Sequence, residues 1–232
     1  MIISTSICEQ QFQTGQLGRL VTKYTVSSNH NVSVLVRDSS KLHHALGSKI
    51  KKRLRGKFVG DCAAADSGQV LKDACAGQYC VIECLGNAQR PAALKALIAA
   101  AAEAKCESFV ALGGTPALLM PDGQPVGPCM ATQRMADLHL HTLSLLQASA
   151  LPGWCQVCPS RLFASITGDP SGKFKLCPNV VDMNVYALNA ELTYEDVATA
   201  MVNLVDVQEN GWHGTQVAFH LVYVPVTRMA ED

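Results

Sequence analysis

The stretch Asn31-Val-Ser-Val-Leu-Val-Arg37-Asp38-Ser39-Ser40-Lys41 decides the fold that we expect for this chain. Its apolar part, 32–36, is rich in β-branched residues, and uninterrupted runs of this kind are typical of buried strands in a parallel sheet. The run stops at an arginine followed by small hydroxyl side chains. The stretch therefore predicts an inner strand of an α/β protein, with polar, ligand-binding groups at its carboxyl end.

Strand and helix patterns alternate along the rest of the chain. We expect strands over 2–7, 32–36, 57–61, 79–85, 108–112, 154–159, 173–176 and 216–224, and helices over 15–27, 67–75, 90–105, 132–148 and 193–205. Thr193 is expected to cap the last helix, with Asp196 three residues later completing a capping box. This alternation predicts the α/β class: a single Rossmann-type domain over 1–232, with a doubly wound, mostly parallel sheet and helices on both faces.

Composition narrows the class of partner. The 232 residues carry 19 basic and 19 acidic side chains, so the formal net charge is zero. A neutral chain gives no general attraction to nucleic acid or to an anionic membrane. No apolar stretch reaches the roughly 18 residues of a membrane helix, and the N-terminus does not read as a secretory leader. We therefore expect a cytoplasmic protein that is a monomer or homodimer and acts on a small molecule.

The chain contains 10 cysteines, several of them inside apolar runs. In a reducing compartment such residues are small buried thiols that pack in the core. Cys155 and Cys158 form a C-x-x-C pair, but no second pair lies at a spacing that would complete four ligands. We expect packing cysteines and no metal site.

Arg37 points to a particular nucleotide. In a doubly wound fold the residue that ends the second strand distinguishes the cofactors, because a carboxylate binds a ribose 2′-hydroxyl and an arginine binds a 2′-phosphate. Arg37 therefore predicts NADP(H), and Ser40 and Lys41 could add further donors. The alternative is a solvated arginine beside Asp38 or Asp61.

The order of several short motifs resembles a known family. The motifs are Gly15-Gln-Leu-Gly18, Leu35-Val-Arg37-Asp38-Ser-Ser-Lys41-Leu, Val59-Gly-Asp61, Val81-Ile-Glu-Cys-Leu85-Gly86, Phe109-Val-Ala-Leu-Gly-Gly-Thr115, Cys158-Pro159-Ser-Arg-Leu and Thr193-Tyr-Glu-Asp196-Val-Ala. Together they are similar to the atypical short-chain dehydrogenase/reductases, and within these to the NmrA-like and biliverdin/flavin reductase-like group.

The resemblance implies which residues would bind the cofactor. The family's Gly-x-x-Gly-x-x-Gly turn corresponds to 12–18, where the second and third glycines are present and Phe12 replaces the first. Glycine there lets the backbone approach a pyrophosphate at a helix N-terminus. The residues implied at the cofactor are Thr14, Gly15, Gln16, Leu17, Gly18, Arg37, Ser40, Lys41, Asp61, Cys62, Leu85, Gly86, Gly113, Gly114 and Pro159. For Asp61 a turn cap is an equal alternative.

Two residues are candidates for the chemistry. The family's active hydroxyl lies just past the fifth strand, which implies Thr115, although a local turn would also account for a threonine there. The tyrosine-x-x-x-lysine pair of short-chain reductases is absent, so a reductase would need another proton source such as water or a histidine. His139 could reach the cleft, with a structural role as its alternative.

The resemblance thus implies an NADPH-dependent reductase that transfers a hydride to a small flat acceptor such as a flavin, quinone or carbonyl compound. Phe12 and the missing tyrosine–lysine pair leave a second hypothesis open. This is a non-catalytic NADP(H)-binding sensor, or a degenerate relative that has lost the cofactor.

Overall fold

Strands and helices alternate along the chain, and most of the strands form one open sheet covered by the helices. The computed structural model of the chain describes residues 2–5, 14–85, 90–114, 118, 124, 133–159, 162–164, 170, 174–178, 191–205 and 211–221. The strands are β1 Ile2–Thr5, β2 Val32–Val36, β3 Leu54–Val59, β4 Cys80–Cys84, β5 Ser108–Leu112, β6 Trp154–Cys158, β7 Leu162–Ala164, β8 Phe174–Pro178, β9 Glu191–Thr193 and β10 Thr215–Leu221. The helices are α1 Thr14–Ser27, α2 Ser39–Lys51, α3 Gly68–Cys75, α4 Arg90–Glu103, α5 Gln133–Gln147 and α6 Tyr194–Asn203.

Eight strands form the main sheet in the order β3-β2-β1-β4-β5-β6-β10-β8. Every neighbouring pair is parallel except β10 with β8, which is antiparallel. The short strands β7 and β9 pair with each other in a second sheet. The strand order reverses between β1 and β4, so the sheet is doubly wound, as the alternating sequence pattern predicts.

Helices cover the two faces of the sheet through two separate apolar cores. Side chains of α1, α2 and α6 pack on one face, around residues such as Val34 and Ile82. Side chains of α3, α4 and α5 pack on the other, around residues such as Val81 and Phe109. The inner strands β2, β4, β5 and β6 are buried along their whole length because both faces are covered.

The region 39–59 differs from the sequence pattern. α2 is not among the predicted helices, because its apolar face is marked by few residues, including Leu42 and Leu46, and Gly47 interrupts it with a left-handed φ of 68°. β3 begins three residues before the predicted position and ends at Val59. It is an edge strand whose side chains alternate between half-buried and exposed, with Arg55 and Lys57 exposed. Charged residues on the exposed side obscure its pattern.

Two local details follow from single residues. The predicted capping box of α6 is present, since the Thr193 hydroxyl accepts the N–H of Asp196 and the Asp196 carboxylate accepts the N–H of Thr193, both at 3.0 Å. Trp154 opens β6 and Trp212 precedes β10, where the N–H of Gly214 donates to the Trp154 carbonyl at 2.9 Å.

Within the described residues, no helix combines the length and apolar character needed to span a bilayer.

Candidate functional site

The carboxyl ends of the parallel strands lie at one edge of the main sheet, which we call the carboxyl edge. Ligands of doubly wound proteins bind outside this edge, near the point where the strand order reverses. The predicted cofactor residues that the structure describes follow β1, β2, β3, β4, β5 or β6 directly, or lie in the helix that comes next. Parallel pairing therefore brings together residues that are far apart in the sequence.

Arg37 is half-buried directly after β2, at the carboxyl edge. The next residue, Asp38, is the N-cap of α2, and its Oδ1 accepts the backbone N–H of Ser40 at 2.8 Å and the Ser40 hydroxyl at 2.7 Å. Asp38 thus has a structural role in starting the helix. This leaves Arg37 as the residue at this strand end whose charge suits a phosphate.

The first turn of α1 begins at Thr14 and contains Gly15 and Gln16, of which Gly15 is half-buried and Gln16 is exposed. Leu17 is 1% exposed and belongs to the apolar core, so only its backbone is available to a ligand. Gly18 is buried one turn into the helix, and its carbonyl accepts the Thr22 hydroxyl. A helix N-terminus with a glycine in its first turn suits an anion.

Asp61 lies two residues beyond β3 and caps a turn, which is the alternative to cofactor binding that the sequence leaves open. Its Oδ1 accepts the N–H of Ala63 at 3.0 Å, and its carbonyl accepts the N–H of Ala64. Cys62 is buried in the core formed with α3 and α4. Both residues lie near the carboxyl edge, and their described contacts are structural.

A buried carboxylate lies between the ends of β4 and β5. Glu83 has no exposed surface, and its Oε1 accepts the N–H of Leu85 at 2.7 Å while its Oε2 accepts the N–H of Leu112 at 3.1 Å. Leu85 is itself buried. One side chain therefore joins the backbones that lead to two predicted parts of the cofactor site.

Gly113 and Gly114 follow β5 where there is no space for a side chain. A Cβ on Gly113 would lie 2.6 Å from the Cys158 Sγ and 2.7 Å from the Cγ of Gln156, and a Cβ on Gly114 would lie 2.7 Å from the Nε2 of His139. All three distances are shorter than real Cβ contacts. The two glycines let β6 and α5 approach the end of β5 closely.

His139 is 7% exposed on α5, and its ring packs against Gly114. The amide Nε2 of Gln156 donates to the His139 carbonyl at 3.0 Å, and the Oε1 of Gln156 accepts the Nε2 of Gln216 at 3.0 Å. These buried polar groups connect α5, β6 and β10, and so hold His139 beside the end of β5.

The C-x-x-C cysteines lie on β6, and both are buried. Burial raises the pKa of the Cys155 thiol, with a further contribution from Cys158. The Cys158 thiol donates to the carbonyl of Gln156. The raised pKa makes Cys155 a neutral packing thiol and not an ionised nucleophile. Pro159 follows β6 and is buried at the carboxyl edge.

The described residues at the carboxyl edge suit the phosphates of a nucleotide. The half-buried guanidinium of Arg37 and the first turns of α1 and α2 are the positively polarised groups at the carboxyl edge of β1 and β2. At the end of β5, Gly113 and Gly114 make room for packed side chains of β6 and α5.

Comparison with known proteins shows the family of the chain. Residues 14–208 match a protein family described as NAD(P)H-binding. The chain belongs to the NAD(P)H-binding family. No curated protein sequence matches it at a significant level.

Solved structures of similar fold include three of known or proposed activity. ChuY, an anaerobillin reductase from Escherichia coli, is 15% identical with a TM-score of 0.69, covering 97% of this chain and 98% of its own. A proposed NADH-flavin reductase from Streptococcus pneumoniae is 20% identical with a TM-score of 0.66, covering 95% and 99%. A wide-type short-chain dehydrogenase/reductase from Veillonella parvula in complex with NADP is 14% identical with a TM-score of 0.66, covering 96% of each chain. These likenesses confirm the predicted Rossmann-type fold.

Some predicted residues lie outside the part of the chain that the structure describes. They are Gly86, Thr115, Phe12 and the side chains of Thr14 and Lys41. Their roles, like those of the other predicted site residues, stay predictions. Family membership itself confirms the expected nicotinamide nucleotide-binding fold, and leaves open the choice between NADP and NAD.

Sequence reasoning missed Glu83, Gln156 and Gln216 as parts of this region. Each is a polar residue inside a strand, next to at least one apolar residue. A polar side chain that is buried needs hydrogen-bond partners, and this requirement was the available signal. The sequence does not reveal which partners these side chains find.

Proposed function

We propose that this protein is an NADPH-dependent reductase that transfers a hydride to a small flat acceptor such as a flavin, quinone or carbonyl compound. Membership of the NAD(P)H-binding family supports the cofactor class. Two proteins of similar fold are named as an anaerobillin reductase and a proposed NADH-flavin reductase, and a flavin carries a flat conjugated ring. This supports the class of acceptor.

The position of Arg37 carries the choice of NADPH. Arg37 follows an inner strand beside the reversal of strand order, and its neighbour Asp38 caps α2 through Ser40. Under the proposal the Arg37 guanidinium binds the 2′-phosphate, with the Ser40 backbone region beside it. The N-terminal turn of α1, from Thr14 to Gly18, faces the pyrophosphate.

The other end of the site would hold the reacting groups. The bound nicotinamide supplies the hydride, and the protein orients it against the acceptor. Under the proposal the backbone of Gly113 and Gly114 would border the nicotinamide ring, and the Thr115 hydroxyl would hydrogen-bond a substrate carbonyl or the carboxamide of the cofactor. His139, packed against Gly114, would supply a proton to a carbonyl acceptor, with water as the alternative source.

A titration with NADPH followed by turnover tests the proposal. We expect NADPH to bind and to be oxidised in the presence of at least one member of a panel of flavins, quinones and carbonyl compounds, measured by loss of nicotinamide absorbance. Binding of NADPH without its oxidation by any acceptor would favour the sensor hypothesis. Phe12 and the missing tyrosine–lysine pair are the sequence features that support that hypothesis. Absence of binding at millimolar NADPH would refute both cofactor-dependent functions.

Substitution of Thr115 should distinguish an effect on the chemical step from an effect on cofactor binding. We expect Thr115→Ala to lower kcat by about tenfold, the value of one lost hydrogen bond in the transition state, while the Kd for NADPH stays nearly unchanged. Thr115→Ser, which keeps the hydroxyl, serves as the matched control and should retain most of the turnover. Unchanged turnover in the alanine variant would remove Thr115 from the mechanism.

The proposal includes a cytoplasmic location, a small-molecule substrate and a monomeric or homodimeric state. The seven cysteines whose side chains are described are all buried, which suits small thiols that pack in the core of a protein in a reducing compartment. The equal numbers of acidic and basic residues support a small molecule rather than nucleic acid as the partner.

A further inference from the structure

The main sheet separates between β4 and β5 at its carboxyl edge. Paired residues in these two strands end at Ile82 and Val110, although β4 continues to Cys84 and β5 to Leu112. The last residues of β4 remain paired with β1, and the last residues of β5 remain paired with β6. The two halves of the sheet thus diverge where the proposed cofactor would lie.

Glu83 lies in this separation. Its fully buried carboxylate accepts the N–H of Leu85 with one oxygen and the N–H of Leu112 with the other, at 2.7 and 3.1 Å. Leu112 comes after the last paired residue of β5 on this side, so the carboxylate replaces an acceptor that backbone pairing would provide. A single side chain therefore fixes the distance between the two strand ends.

Satisfying two N–H groups does not by itself require a carboxylate. Continued pairing of β4 with β5 would provide backbone acceptors, whereas burial of a carboxylate removes a strongly hydrated group from water. The carboxylate allows the ends of β4 and β5 to stay apart while the N–H groups of Leu85 and Leu112 keep hydrogen-bond acceptors. The end of β4 continues into Leu85, which the family resemblance implies at the cofactor, and the end of β5 continues into Gly113-Gly114, which the proposed function places beside the nicotinamide.

We propose that Glu83 is a positioning residue that sets the backbone receiving the nicotinamide half of the cofactor. The inference rests on the proposed function and concerns one half of the ligand only. Arg37 lies after β2, on the other side of β1 from Glu83, so the adenine half with its 2′-phosphate is bound by residues that Glu83 does not contact. Loss of Glu83 should therefore affect the two halves of the cofactor differently.

The test compares two ligands on one variant. Glu83→Gln keeps the size of the side chain but has one acceptor oxygen, so either Leu85 or Leu112 loses its hydrogen bond. We expect the Kd for NADPH to rise by about tenfold, whereas the Kd for adenosine 2′,5′-bisphosphate, which has no nicotinamide, changes by less than about twofold. Fluorescence titration measures the first and calorimetry the second.

Val81→Ala is the matched control. Val81 is fully buried on β4, two residues from Glu83 towards the amino end, and pairs with Phe109 on β5. Its truncation lowers the Tm without touching the separated ends, so the affinity for both ligands should stay within about twofold of the wild type. Weaker NADPH binding in this control would mean that affinity follows stability, and would overturn the inference.

The remaining outcomes separate the inference from the proposed function. If the wild type does not bind NADPH, the proposed function fails and the inference fails with it. If the wild type binds and Glu83→Gln binds both ligands equally well, or loses both equally, only the inference is overturned. If the glutamine variant does not unfold cooperatively, Glu83→Asp, which keeps the carboxylate on a shorter side chain, replaces it. The aspartate variant should also weaken NADPH binding more than binding of adenosine 2′,5′-bisphosphate, and equal effects on the two ligands would overturn the inference.

Discussion

Replacement of Arg37 by glutamate is expected to weaken NADPH binding by about a hundredfold and to leave NADH binding nearly unchanged. Hydrogen bonds between charged partners contribute about 1.5–3 kcal/mol, and the glutamate adds repulsion towards a phosphate. NADH has a hydroxyl where NADPH carries the 2′-phosphate, so it loses little. Titration of both nucleotides against the wild type and the variant measures the change in selectivity.

A control for net charge is available on β3. Arg55 is exposed at the amino-terminal end of this strand, while Arg37 follows the carboxyl end of β2. Arg55→Glu changes the net charge of the protein by the same amount, and we expect it to leave the affinity for either nucleotide unchanged. Equal loss of NADPH and NADH in the Arg37 variant, or no loss at all, would show that Arg37 does not bind the 2′-phosphate.

Gly114→Ala is expected to lower the free energy of unfolding by about 1–3 kcal/mol, the usual cost of adding a methyl group to a packed interior. The new Cβ would lie 2.7 Å from the Nε2 of His139 and 2.9 Å from its Cδ2, so the buried ring must move. Urea denaturation followed by circular dichroism measures the loss.

A double-mutant cycle identifies the cause. His139→Ala removes the ring that the new methyl group would meet, so Gly114→Ala should cost much less in the His139→Ala background than in the wild type. Similar costs in the two backgrounds would show that contact with His139 does not explain the glycine. The cycle also tests whether His139 lies against the end of β5, where the proposed mechanism requires it.

Much of the fold could be predicted from the sequence, because periodic patterns report burial directly. The β-branched run 32–36 is β2 with the predicted bounds, and 108–112 is β5. The capping box of α6 was readable from Thr193 and Asp196 alone. α2 could not be predicted, because Gly47 breaks its repeat, and β3 was misplaced because basic residues occupy its exposed side.

The candidate site was predictable only in part, because strand ends can be found from local patterns whereas contacts between them cannot. Arg37 and Gly113-Gly114 were found as residues that follow apolar runs. Gly114 packs against the ring of His139, which lies 25 positions later in the sequence, and Glu83 hydrogen-bonds Leu112, which lies 29 positions later. Such pairs depend on the register of the folded sheet, which no local pattern in a single sequence specifies.

The two tryptophans of the chain can report on folding separately from cofactor binding. Trp154 begins β6 and Trp212 precedes β10, so both lie at the amino end of their strands. Five residues at about 3.3 Å each put roughly 17 Å between this end of β6 and the carboxyl edge. In the cofactor-free protein, indole emission would therefore follow the loss of tertiary structure at one end. Emission from the reduced nicotinamide would follow occupancy at the other end when NADPH is added, so the stability and the affinity of each variant can both be read optically.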